Sequence, residues 1–116
     1  MRDTRQIAPG EVVFANAPNR NGAAVTRFVE WLAATYPVDH GVSIYFLDQQ
    51  RGLGGTHLRS GTTSYIECRP TCNRMDTMAI LAHEWKHALG EHTEGICWGW
   101  AQNRMQDYTG IAHLPA

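Results

Sequence analysis

Apolar residues along the chain alternate between helical and extended spacing, and the changes of period divide it into elements. Val25, Phe28, Val29 and Leu32 recur at three-residue and four-residue intervals. That spacing predicts an amphipathic helix over Ala24 to Tyr36, closed by Pro37, after a polar loop from Asn16 to Gly22. Val42 to Leu47 is short, apolar and β-branched between Gly41 and Asp48, which predicts a buried strand. Gln49 to Gly55 reads as a turn or loop. A second strand is expected within Thr56 to Leu58 and a third within Thr62 to Cys68, where Pro70 ends the pairing. Helical spacing then returns. Asn73 can cap a helix with Asp76 three residues on, and Met78, Ala82, Trp85 and Leu89 give the run Met75 to Leu89 a core-facing stripe. Gly90 suits the left-handed position that stops such a helix, and a last helix is expected over about Glu94 to Tyr108.

The chemistry sits in the Met75 to Leu89 helix, where His83, Glu84, Trp85, Lys86 and His87 spell H-E-x-x-H. Residues four apart on a helix share a face, so two imidazoles can close on one cation with Glu84 beside them. That face differs from the Met78, Ala82, Trp85, Leu89 stripe, so ligation and core packing do not compete. A catalytic zinc usually takes three protein ligands and keeps a fourth position for water. His92 and Glu94, beyond the Gly90 turn, are the candidates for the third, with distant His113 as an outside possibility.

The stretch HEWKHALGEHTEGICW, His83 to Trp98, resembles the SprT-like and WLM groups of small zinc metallopeptidases. The resemblance implies a third histidine opening the following helix, and His92, Ile96 and Cys97 fit that register. The link from Ala88 to Glu91 is shorter than those families show, which keeps Glu94 as the alternative. The resemblance also implies a small sheet on two or three helices, with the strand before H-E-x-x-H at the cleft rim. It covers the C-terminal third of the chain.

A length of 116 residues accommodates one domain with one core. The net charge of -1 comes with scattered arginines rather than a basic run, so nucleic-acid binding is not indicated. No segment is apolar and long enough to span a bilayer, and Met1 to Gly10 has no signal-peptide pattern, so a cytoplasmic location is expected. Three cysteines, an odd number, argue against a complete disulfide framework. Cys68 and Cys72 lack the C-x-x-C spacing of a zinc ribbon, and Cys97 reads as a small buried hydrophobe between Ile96 and Trp98. His40, His57 and His113 read as ordinary surface or hydrogen-bonded histidines. Tyr65, Arg104 and Tyr108 are candidates to stabilise an oxyanion, against a packing role for each.

Together these features predict an α+β, minimal zincin-like domain: a sheet of about three strands packed on an N-terminal helix, an active-site helix and a C-terminal helix. The expected function is zinc-dependent peptide-bond hydrolysis, with His83, His87 and His92 holding Zn²⁺ and Glu84 as general base toward a peptide or protein substrate. An extended substrate is expected to pair with a free edge of the Thr62 to Cys68 strand. The alternatives are a zinc-stapled binding module without catalysis and an accidental motif on an amphipathic helix. Nothing in the sequence selects an oligomeric state.

Overall fold

A computed structural model of the chain describes residues 7–47, 54–69 and 73–110. The elements run β1 (Val12–Ala15), α1 (Gly22–Thr35), β2 (Gly41–Phe46), β3 (Gly54–Ser60), β4 (Thr63–Arg69), α2 (Arg74–Ala88) and α3 (Glu94–Thr109). This is the α+β class the sequence implies, with four strands where about three are expected. The addition is β1: four half-buried residues with no alternation of their own, made a strand by pairing with β2.

The sheet order is β1-β2-β4-β3. β1, β2 and β4 are parallel, and β3 joins antiparallel to β4 through a tight turn at Gly61 and Thr62. Gly61 has φ 60°, which glycine adopts without cost. The order overturns one expectation. Thr63–Arg69 is a strand, but both of its edges are paired, so no edge of it is free for a substrate. Among the described strands the edge beside it belongs to β3. The region before Thr56 read as loop because its residues are polar and small; Gly54 and Gly55 extend the strand by pairing with Arg69 and Cys68.

Alternation along β4 sorts its side chains. Ser64, Ile66 and Cys68 are fully buried, on the face shared with Val42, Ile44 and Phe46 of β2, while Tyr65 and Glu67 fall on the other face. The buried face packs against Val25, Phe28, Val29 and Leu32 of α1 and Met78, Leu81 and Trp85 of α2. The Trp85 indole donates to the Tyr36 carbonyl at 3.0 Å, pinning α2 to the end of α1.

α2 begins as its sequence requires: the Asn73 side chain accepts from the Met75 and Asp76 amides at 2.9 and 3.3 Å. It stops at Gly90, whose φ is 111°. Between these ends it is more enclosed than a one-stripe helix. Every residue from Thr77 to Trp85 is buried, His83 and Glu84 included, because β3 and α3 cover the histidine side while α1 and the sheet cover the other. No helix among the described residues is long and apolar enough to cross a membrane.

Candidate metal centre

Helical spacing puts His83 and His87 one turn apart, and their rings meet nearly at right angles with centroids 4.8 Å apart. The Gly90 turn then directs α3 back across them. Glu94, the first residue of α3, places its carboxylate against both rings: Oε2 lies 3.0 Å from His83 Nε2 and Oε1 lies 2.7 Å from His87 Nε2. The remaining nitrogens are held from behind. His83 Nδ1 is 3.0 Å from Glu84 Oε2, and His87 Nδ1 is 2.7 Å from the Glu91 carbonyl, which can only accept. His87 Nδ1 donates to that carbonyl, and Nε2 is the nitrogen turned to the Glu94 carboxylate. Backing of this kind orients metal-ligating imidazoles.

The carboxylates set the electrostatics. Burial draws the His83 pKa down, but the hydrogen bond to Glu84 and the charges of Glu84 and Glu94 outweigh it, so the net shift is upward. The Trp98 indole stacks on the His83 ring, 4.0 Å between centroids and 10° from parallel, and shields one side of it.

The cleft in front of these groups is lined by Gly55, Thr56 and His57 from β3, by His83, Glu84 and His87, and by His92 and Glu94. β3 approaches α2 closely because Gly55 has no side chain: a Cβ there would lie 2.9 Å from Ile80 Cγ2 and 3.0 Å from Glu84 Cγ. His92 is exposed on the cleft wall, and Glu94 is the residue whose carboxylate reaches both imidazoles.

Other residues singled out in the sequence stand elsewhere. The Arg104 guanidinium lies over the Tyr36 and Trp100 rings and pairs with Asp107 at 2.9 Å. Tyr108 packs edge-on against Phe28, and Tyr65 is on the opposite sheet face from Ser64 and Ile66. None of the three lines the cleft. His113 and Cys72 fall outside the described residues, and Cys68 is fully buried.

Two cleft neighbours were not legible as such. His57, read as an ordinary histidine, stacks on His87 with centroids 6.3 Å apart and rings 13° from parallel. Burial lowers its pKa; Glu84 opposes this, and the rings of His87, His40 and His92 add to the lowering. Strand alternation was the available signal, but the polar sequence of β3 hid its length. Cys97 is buried as expected, yet its sulfur is 3.6 Å from His87 Nδ1. His83, His87 and Cys97 each bring a donor atom to within 4.8 Å of the others, close enough to hold a metal ion. Burial, followed by the charges of Glu91, Glu94 and Glu84, pushes the Cys97 thiol up to about 11, so without a metal it stays protonated.

No protein-family model matches the chain, and neither a curated protein nor a solved structure matches it significantly.

Proposed function

We propose that the protein is a zinc-dependent, zincin-like peptidase in which His83, His87 and Glu94 hold the metal and Glu84 is the general base. The observation that carries this reading is the convergence of both Nε2 atoms on the Glu94 carboxylate at 3.0 and 2.7 Å. Ligand bonds of about 2.0–2.2 Å in tetrahedral array separate neighbouring donor atoms by roughly 3.3 Å, so these groups need open by only a few tenths of an ångström. Glu94 thereby takes the place expected of His92, which remains on the cleft wall.

Zinc in this position supplies Lewis acidity, polarising a scissile carbonyl and making water a better nucleophile at neutral pH. The protein supplies the rest. Glu84 Oε2 is held by the His83 ring, and no described residue bonds Oε1, which is available to take a proton from attacking water and deliver it to the leaving amine. Among the described strands β3 contributes the edge beside the cleft, on which an extended peptide would add as a strand, with Gly55 and Thr56 along the cleft.

One observation favours a second reading, a closed structural site. If Cys97 ligates as well, four protein groups fill the coordination sphere and leave no place for water. The Cys97 sulfur stands 3.6 Å from His87 Nδ1, the nitrogen that bonds the Glu91 carbonyl.

Metal analysis and X-ray absorption on the purified protein test both readings. The expected result is one zinc per chain surrounded only by nitrogen and oxygen at about 2.0–2.2 Å; a sulfur shell at about 2.3 Å favours the staple. His83→Ala and His87→Ala should each sharply weaken zinc binding, and Glu94→Ala should weaken it more than His92→Ala. Wild-type affinity in both histidine variants sinks the site, and the reverse ranking of Glu94 and His92 returns the third ligand to His92.

A further inference from the structure

A line of hydrogen bonds runs behind the cleft through groups that the proposed mechanism does not use. Asp39 Oδ1 lies 2.7 Å from His40 Nδ1; His40 Nε2 lies 2.6 Å from Ser64 Oγ; Ser64 Oγ lies 2.8 Å from His57 Nε2. The middle is sealed, with Ser64 fully buried and His40 nearly so, while Asp39 is exposed at one end and His57 lines the metal cleft at the other. Sheet register explains the meeting. Ser64 pairs with Arg59 and His57 with Ile66, so His57 and Ser64 are diagonal neighbours on one face of the β3–β4 pair.

The arrangement is not symmetric. Ser64 has one hydroxyl proton and stands between two Nε2 atoms, so it donates to one ring and accepts from the other. Asp39 is an acceptor and claims the His40 Nδ1 proton. A neutral His40 then has a bare Nε2, which takes the Ser64 O–H, and the Ser64 oxygen in turn takes N–H from His57 Nε2. The neutral His57 ring is left with its lone pair on Nδ1, to which no described residue is bonded.

We infer that Asp39, His40 and Ser64 act as positioning residues that lock His57 in the Nε2–H tautomer, presenting a bare Nδ1 at the cleft wall as a hydrogen-bond acceptor. The chemical class it takes is an N–H or O–H donor; on the peptidase reading above, on which the choice of ligand rests, this is a backbone amide of the substrate. The lock itself does not depend on that reading, because it is built from protein groups alone.

The test is long-range ¹H–¹⁵N spectroscopy of the histidine rings in the full chain at pH 8, above the ordinary imidazole pKa of about 6.5. In the wild type, Nε2 of His57 should be the protonated nitrogen and Nδ1 the bare one. His40→Phe removes the acceptor for Ser64, whose hydroxyl then turns to His57 Nε2 and moves the His57 proton to Nδ1. A net hydrogen bond worth about 1 kcal/mol gives a tautomer ratio of roughly fivefold, so the reversal should be readily measured. Ser64→Ala, a smaller change should His40→Phe not fold, should leave His57 a mixture of both tautomers. A wild-type His57 protonated at Nδ1, or a His57 signature indifferent to both substitutions, overturns the inference. Zinc binding is read in parallel, so loss of the metal reading leaves a distinct signature from loss of the lock.

Discussion

The two sides of α2 are equally buried and differently built. Trp85, Met78 and Ala82 look into the apolar core, where each contact is replaceable by another of similar shape and the sum is what holds the helix. His83 and Glu84 are as enclosed, at 5% and 3% exposure, but both His83 nitrogens and Glu84 Oε2 have specific partners. Burial alone does not separate a structural residue from a functional one. What separates them is whether enclosure is met by bulk or by directed hydrogen bonds, and the second arrangement turns polar atoms toward a common point.

Substitutions on the two sides should therefore fail in different ways. Glu84→Gln keeps an oxygen to accept from His83 Nδ1 but removes the proton acceptor, so peptide hydrolysis should fall about 100-fold to 10,000-fold with zinc content and thermal midpoint unchanged. Equal cleavage by the variant and the wild type would end the general-base assignment. Trp85→Ala should do the reverse. Losing a fully buried indole and its bond to Tyr36 should cost about 3–5 kcal/mol in denaturant unfolding, with zinc lost only as the fold is lost. A small loss there would mean that α2 is held chiefly from its polar side.

Gly55 is where the two kinds of packing meet. Gly55→Ala brings a methyl against Ile80, Glu84 and the Glu67 carbonyl, the last at 3.1 Å and on rigid backbone. Overpacking of this sort costs about 1–3 kcal/mol, and because Glu84 is one of the neighbours, activity should drop as well. Unchanged stability would show that β3 can move off α2.

An effect confined to alkaline pH concerns Cys68, on the apolar side, whose thiol is pushed up to about 12 by burial and then by the charge of Glu84. Its folded pKa lies above its unfolded one, so the stabilising contribution is complete below about 9 and fades as pH rises through 9 to 12. The slope should approach about 1.4 kcal/mol per pH unit. Cys68→Ala should flatten the unfolding free energy across that window; an identical slope in the variant would reassign it to another group.

Much of this was legible in the chain because it is local. The Asn73 cap, the 83–87 spacing and the Gly90 stop each act within a turn or two, and the structure contains all three. The α1 stripe, β2 and the start of α3 were readable for the same reason. The edge position of β3 was not, because strand order depends on partners that periodicity does not encode. Nor was it readable that Glu94 rather than His92 lies against both imidazoles, since that turns on how α3 leaves the Gly90 turn. His57 joins the cleft through register with a strand, and Ser64 gives no sequence hint that two imidazoles converge on it.

The edge of β3 carries a cost in colloidal behaviour. Among the described strands β3 is an edge, and an edge that could take the proposed peptide could equally take a strand from another molecule, with Leu58, 66% exposed, as an apolar foothold. The strand's composition restrains this. Gly54 and Gly55 weaken β pairing, Arg59 adds a charge that repels its own copy, and Ser60 gives way at once to the Gly61 turn. An edge so poorly apolar gives a foreign strand little to hold.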